Sequence, residues 1–257
     1  MGLPGITRDQ MAEVDRIMVN EYNIPVELMM EHAGLNLARL ALAISKTEKY
    51  NFIIIAGTGN NAGGGIVAAR RLKSWGLKVK LFLVKGVKNL GNIPGDQFNR
   101  VEKLDIEWYE GLHEQDSTDS LIIDAYLGYN FTPREDKITD SVFEFLSIQD
   151  NVLCLDNPSG LDITTGERYS NIKPLATLTL AFVKKGLLIT NRDYIGELYI
   201  ADIGIPINVY YQILKDNWSR PYKQSSLENL YSVFSLDSLQ KVRIHKGKDV
   251  HENYWEV

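Results

Sequence analysis

Five short segments of the sequence concentrate the residue types that could bind a ligand or transfer a proton. Each one directly follows an apolar run, and in chain order they are 57–65, 85–86, 124–128, 156–162 and 184–186. In a doubly wound parallel sheet, ligands bind beyond the carboxyl ends of the strands. The spacing therefore predicts one shared site, built from residues that follow successive strands.

The first segment could bind a phosphate group. Residues 57–65 (GTGNNAGGG) follow a predicted strand and precede a predicted helix, so their backbone N–H groups can approach an anion. Residues 57–62 match the dinucleotide fingerprint G-x-G-x-x-A, but an NAD-dependent dehydrogenase also needs an acidic residue where this sequence has Lys85. A dehydrogenase and a turn required only for packing remain as alternatives, although packing does not explain Asn60 and Asn61.

Two aspartates, Asp124 and Asp156, end apolar strands at the same sheet edge. Apolar surroundings raise the pKa of a carboxyl and suit it to general acid–base work, whereas the alternative is that each caps the next helix or turn. Ser159 has no histidine nearby to activate it, which argues against a serine hydrolase. Cys154 is interpreted as a buried strand residue. Lys184 and Lys185 are expected to lie on the solvated surface or to contact a phosphate.

The elements that must position these residues follow from hydrophobic periodicity. Thr7 and Gln10 predict a capping box before a first helix, and Pro25 can open a second helix that runs towards Ser45. Strands are then predicted at 52–56, 79–84, 121–124, 152–156, 177–183 and 198–201, and helices at 66–75, 95–103 and 137–147. This alternation predicts an α/β fold with a mainly parallel, doubly wound sheet, preceded by two N-terminal helices.

Composition narrows the class of protein. The 257 residues carry Lys+Arg 28 against Asp+Glu 33, a net charge of −5, which gives no electrostatic reason to expect a nucleic-acid or membrane partner. No apolar run approaches the ~18 residues of a membrane span, and no signal peptide is evident at the N-terminus. The single cysteine suits a reducing compartment. We expect a soluble cytoplasmic protein.

The segments, taken together and in order, resemble the YjeF N-terminal domain family of NAD(P)H-hydrate epimerases. Residues 57–65 are similar to the family's GxGNNGGDG loop, 156–162 (DNPSGLD) to its DIPSGLD segment, and 123–128 (IDAYLG) to its VDAIFG segment. Further matches, at 13–15, 29–34, 184–187 and 201–206, extend the resemblance over about residues 5–207. The resemblance implies a Rossmann-like, three-layer α/β/α domain at 1–216, followed by a C-terminal extension of unknown role at 217–257. We expect that extension, which contains His245 and His251, to pack on the core or on a partner subunit, and the alternative is a metal-binding or catalytic segment.

The resemblance also implies an activity, the interconversion of the S and R epimers of hydrated NADH and NADPH in cofactor repair. These damaged cofactors carry a hydroxyl on C6 of the nicotinamide ring, and we expect Asp156 to be the acid–base group that serves this carbon. The implied substrate-binding residues are Asn60, Asn61, Ala62, Gly63, Gly64, Gly128, Tyr129, Asn130, Phe131, Thr132, Pro133, Arg134 and Asp156.

A potassium ion is implied as well, with Asn61, Asp124 and Ser159 as ligands, and their oxygen atoms suit a hard cation. The family further implies a homodimer and a separate ADP- or ATP-dependent dehydratase that acts on the same metabolite. Two positions depart from the family pattern, since Gly64 replaces an aspartate and Ala62 a glycine. The second hypothesis is therefore a catalytically inactive nucleotide- or RNA-binding scaffold on the same fold.

Overall fold

A computed structural model describes residues 2–45, 51–113, 119–215, 224–234, 236–246 and 253–257. Its main sheet has the order β4-β3-β2-β5-β6-β7-β8-β9. These strands are β2 (Asn51–Ala56), β3 (Lys78–Leu83), β4 (Glu107–Glu110), β5 (Ser120–Ala125), β6 (Val152–Leu155), β7 (Ala176–Leu180), β8 (Glu197–Ala201) and β9 (Leu239–Lys241). All neighbours pair in parallel except β9, which runs antiparallel to β8. The predicted mainly parallel sheet is confirmed.

The described helices are α1 (Arg8–Asn20), α2 (Val26–Ile44), α3 (Asn60–Ser74), α4 (Asn92–Val101), α5 (Lys137–Ser147), α6 (Lys185–Ile189), α7 (Ile207–Leu214) and α8 (Gln224–Phe234). Ile54 of β2 faces a cluster formed with α2, α3 and α4, whereas its neighbour Ile55 faces the cluster formed with α5. Alternate residues of the strands thus pack on opposite faces, which gives three α/β/α layers. The predicted fold class and the two N-terminal helices are confirmed.

The N-terminal segment is held by hydrogen bonds and by a second, smaller sheet. Thr7 caps α1, and Gln10 completes the predicted capping box. Ahead of it, β1 (Leu3–Pro4) pairs with β11 (Tyr254–Glu256), which also pairs with β10 (Arg243–His245). Trp255 of β11 is buried, and its indole Nε1–H donates to the Pro4 carbonyl at 2.9 Å. The small sheet therefore anchors the chain just before α1.

The helix α3 begins earlier than the hydrophobic pattern predicts. It starts at Asn60 rather than at Ile66, so the expectation that residues 57–65 form a loop is wrong for 60–65. A Cβ at Gly63 would overlap Met30 of α2, and a Cβ at Gly65 would lie 2.5 Å from that of Ala125 on β5. These glycines therefore allow α3 to pack closely against α2 and β5, and they do not form a flexible loop.

The C-terminal part of the chain contributes to both sheets. It supplies β9 to the main sheet and β10 and β11 to the small one, and the His245 Nε2 lies 3.0 Å from the Glu256 carboxylate. His251 and the predicted boundary at 216/217 lie outside the described residues. The division into 1–216 and 217–257 stays a prediction. Within the described ranges, none of the helices has both the length and the apolar character needed to cross a membrane.

Candidate functional site

A cavity of about 670 Å³ lies at the carboxyl ends of the central strands, where the strand order reverses at β2 and β5. Helices α1 and α2 contribute apolar residues to its wall, among them Met11, Met29 and Met30. The polar residues that line it are Asp15, Thr58, Asn60, Asn61, Tyr126, Tyr129, Asn130, Thr132, Arg134, Thr139 and Asp156. This is the position at which doubly wound sheets bind their ligands.

All of the substrate-binding residues predicted from the sequence line this cavity except three. Those that line it are Asn60, Asn61, Gly64, Gly128, Tyr129, Asn130, Phe131, Thr132, Arg134 and Asp156. Ala62 and Gly63 are buried on other faces of α3, and Gly63 packs against Met30. Pro133 is exposed and does not line the cavity.

The N-terminus of α3 opens into the cavity. Asn60 and Asn61 lie in its first turn, which contains no acidic residue. The backbone N–H groups of this turn can therefore donate hydrogen bonds to an anionic group. The Asn61 amide donates to the Leu155 carbonyl at 3.3 Å. Gly64 also faces the cavity, and a Cβ added there would lie 2.8 Å from the Leu155 Cδ2 atom.

Asp124 is completely buried at the end of β5, and its carboxylate is surrounded by neutral donors. Ser159 donates to it through the backbone N–H at 2.8 Å and the hydroxyl at 2.6 Å, and the Tyr126 N–H donates at 3.1 Å. Burial raises the pKa of Asp124. Asp124 and Ser159, two of the three residues implied as potassium ligands, are thus in direct contact, whereas Asn61 bonds to Leu155.

Asp156 forms a buried ion pair that the sequence reasoning missed. Its backbone has a left-handed φ of +69°, unusual for a non-glycine residue, and its carboxylate accepts from the Tyr129 N–H at 3.0 Å and from the Lys184 ammonium. Lys184 is 0% exposed and also donates to the Leu180 carbonyl at 2.9 Å and the Thr179 hydroxyl at 3.1 Å.

Both expectations for Lys184, solvated surface and phosphate contact, are therefore wrong. The physical reason is long-range pairing, because Lys184 forms a parallel β-bridge with Ile6, and its side chain is buried against Asp156. An ammonium this deep requires an opposite charge and further hydrogen-bond acceptors, and it has both.

Comparisons with known proteins identify the family to which this fold belongs. A sequence model of the family described as "YjeF-related protein N-terminus" matches residues 26–186, which is more than half of the chain. The chain belongs to this family. The matched span includes Asn61, Asp124, Asp156 and Lys184.

Among curated relatives within the YjeF N-terminal family, the NAD(P)H-hydrate epimerase of Dehalogenimonas lykanthroporepellens is 32% identical over 84% of this chain and 89% of its own length. The bifunctional NAD(P)H-hydrate repair enzyme Nnr of Thermofilum pendens is 32% identical over 75% of this chain, which spans only 38% of that protein. The crystal structure of the yeast protein YNL200c superposes with a TM-score of 0.75 at 21% identity, covering 93% of this chain and 100% of the yeast chain.

The cavity residue Asp15 lies outside the matched YjeF span. It is partly buried on α1, and the Tyr129 hydroxyl donates to its carboxylate at 2.6 Å. Sequence reasoning did not single out its side chain, although a signal was present. Asp15 lies four residues after Met11 and three before Met18 on the apolar face of α1, so a carboxylate there needs a polar neighbour.

Proposed function

We propose that this protein interconverts the S and R epimers of hydrated NADH and NADPH. The observation that carries the proposal is the Asp156 carboxylate, which lines the cavity and is held by Lys184 and by the Tyr129 amide. Relatives about 30% identical over most of the chain are named NAD(P)H-hydrate epimerases. The proposal therefore has two supports, the family of the chain and an acid–base group in a cavity large enough for a ligand.

The reaction matches the chemistry of these residues. The hydrate carries its hydroxyl on a ring carbon next to nitrogen, so loss of hydroxide is assisted by the nitrogen lone pair and yields an iminium. Return of water to the other face inverts the carbon. Such a reaction requires proton transfer near that carbon and no redox step, and Asp156 is placed to provide it.

The rest of the cavity suits a nucleotide. The open N-terminus of α3 can bind a phosphate of the substrate, and Arg134 is an exposed cation in the cavity lining. Apolar residues such as Met29 and Met30 offer packing for a ring. These features favour a dinucleotide over a small polar metabolite.

A potassium ion, with Asn61, Asp124 and Ser159 as ligands, is part of this proposal. The donor set fits because it consists of oxygen ligands suited to a hard cation, and because, within the described part of the chain, the hydrogen bonds to the buried Asp124 carboxylate come from neutral donors. When bound, the ion would supply the positive charge that a buried carboxylate requires. Asn61, Asp124 and Ser159 would hold it.

The proposal extends to partners and location. We place the protein in the cytoplasm, as a homodimer, with a separate ADP- or ATP-dependent dehydratase that acts on the same metabolite. The bifunctional relatives support the pairing of repair steps, because each is named as one repair enzyme of which this chain matches only about two fifths.

The test is epimerisation of purified hydrated NADH, coupled to an S-specific dehydratase. Asp156→Asn should bind nucleotide but lose ~10²–10⁴-fold of the enzymatic rate, because an amide cannot exchange a proton. Asp96→Asn, at an exposed position of α4, is the matched control and should retain activity. Full activity in Asp156→Asn would refute the catalytic assignment. A native chain that binds nucleotide without epimerising it would instead favour the inactive scaffold.

A further inference from the structure

Among the described residues, two aspartates line the cavity, and one tyrosine contacts the carboxyl groups of both. The Tyr129 backbone N–H donates to Asp156 at 3.0 Å, and its phenol hydroxyl donates to Asp15 at 2.6 Å. Asp156 follows β6, whereas Asp15 belongs to α1. The two carboxyls thus reach the cavity from different elements, and the two bonds to Tyr129 lie at opposite ends of that residue.

We propose that Asp15 is a second catalytic acid–base group, serving the face of the nicotinamide ring opposite to the face served by Asp156. This inference rests on the proposed epimerisation and makes it a two-group reaction. Inversion at C6 requires a hydroxyl to leave from one face and a water to arrive at the other. A carboxyl on each side can assist both events, whereas one carboxyl serves a single face well.

The step balances in atoms and electrons. The carboxylic acid on the first face donates its proton to the C6 hydroxyl, the C–O bond breaks, and water departs while the ring nitrogen lone pair forms the C=N bond. A water then attacks C6 from the second face, the C=N electrons return to nitrogen, and the carboxylate on that face accepts the water's proton. The proton has moved from one aspartate to the other, and conversion in the opposite direction returns it.

The two carboxyls have different surroundings. Burial raises the pKa of Asp15, and the negative charge of Asp156 raises it further, while the Tyr129 hydrogen bond and the Lys184 charge oppose these effects. Asp156 forms a direct ion pair with Lys184, which balances the charge of its carboxylate. A pair of carboxyls in unlike environments is the arrangement that separates an acid from a base.

Isotope exchange separates this proposal from a structural role for Asp15. Each purified epimer is incubated in ¹⁸O-labelled water, and both inversion and uptake of ¹⁸O into the C6 hydroxyl are measured. In Asp15→Asn, inversion should fall ~10²–10⁴-fold. The epimer whose hydroxyl lies on the Asp156 face should still exchange its oxygen, because Asp156 assists both the loss and the return of water on that face. In Asp156→Asn, exchange should persist for the other epimer.

Two further variants complete the design. Asp9→Asn, at an exposed position of the same helix, is the matched control and should show native rates of inversion and exchange. Tyr129→Phe removes the hydroxyl that contacts Asp15 but keeps the backbone donor to Asp156. It should slow inversion more than exchange on the Asp156 face, and it tests the proposal if Asp15→Asn does not fold.

Near-native inversion in Asp15→Asn would overturn the proposal. Equal loss of inversion and of exchange for both epimers, in a folded variant, would also overturn it, because Asp15 would then have only a structural role. A native protein that neither inverts nor exchanges either epimer would refute the proposed epimerase activity itself. That result is distinct from the first two, since it does not depend on any substitution.

Discussion

Lys184→Met tests whether the buried ion pair holds the site together. Methionine keeps most of the length of the side chain but removes the ammonium. The Asp156 carboxylate would lose its counter-ion and retain the Tyr129 N–H, and the Leu180 carbonyl and Thr179 hydroxyl would lose a donor. Both members of the pair are nearly or fully excluded from solvent, at 0% and 4% side-chain exposure.

The expected cost follows from this burial. Removing one partner of a buried pair costs about 3–5 kcal/mol, because the remaining charge has no compensation. At about 2–4 °C per kcal/mol for a chain of this size, the melting temperature should fall by about 6–20 °C. The double variant Lys184→Met, Asp156→Asn removes both charges, so it should be more stable than either single variant.

Thermal melts and urea titrations of the native protein, both single variants and the double variant measure this coupling. Lys185→Met, at the adjacent and partly exposed lysine, is the matched control and should cost well under 1 kcal/mol. A loss below ~1 kcal/mol for Lys184→Met would place the pair in the range of surface salt bridges and refute the reasoning. Additive losses in the double variant would refute it as well.

Three other changes have predicted outcomes. Gly64→Asp should lower stability by ~1–3 kcal/mol, because its Cβ would meet the Leu155 side chain, and the same substitution should cost less when it is made in a Leu155→Ala background. With nucleotide present, the melting temperature should be higher in potassium than in tetramethylammonium at equal ionic strength, and Asp124→Asn should abolish the difference. The hydrogen bond and ion pair with Lys85 lower the pKa of Asp136 to about 2. The Asp136 carboxylate therefore stabilises the fold fully above its ordinary pKa of 3.8, and this stabilisation is lost as the pH falls towards 2. Lys85→Ala should return the pKa of Asp136 towards 3.8 in an NMR titration.

Each of these predictions can fail. A Gly64→Asp protein as stable as the native chain would show that Leu155 moves aside at no cost. Equal melting temperatures in the two salts would remove the support for a cation at Asp124. An unchanged Asp136 titration in Lys85→Ala would mean that Thr139 and the Ile138 N–H, which also bond to Asp136, account for the low pKa.

The parts of the fold that were predictable from the sequence depend on local patterns. The helix predicted at 137–147 is observed as α5 (Lys137–Ser147), and Asp136 caps it through the Ile138 N–H. The predicted strand at 121–124 lies within β5 (Ser120–Ala125). Its continuous apolar run was readable because the strand is buried on both faces. Caps and continuous apolar runs are encoded within a few residues, so they can be read without the tertiary structure.

The parts that were missed depend on contacts between distant segments. The glycines at the start of α3 resemble a loop until their packing against Met30 and Ala125 is known. Lys184 lies in a locally polar sequence, and only its pairing with Ile6 and Asp156 explains its burial. The strand β4 (Glu107–Glu110) is short and charged, as edge strands often are, and therefore has a weak hydrophobic pattern.

The position of Lys184 also has a consequence for the order of folding. Its neighbours close a loop that contains most of the family domain, because the Ile6 N–H donates to the Val183 carbonyl at 3.0 Å and the Lys185 N–H to the Ile6 carbonyl at 2.8 Å. Closing so long a loop carries a large entropic cost, and contacts of high sequence separation form slowly. Lys184 holds Asp156 through its side chain, and the backbones of its neighbours Val183 and Lys185 hold Ile6, just before the helix α1 that carries Asp15. We therefore expect the two carboxyls to come together only when this closure occurs, so that the chain can acquire a nearly complete sheet before it acquires a site.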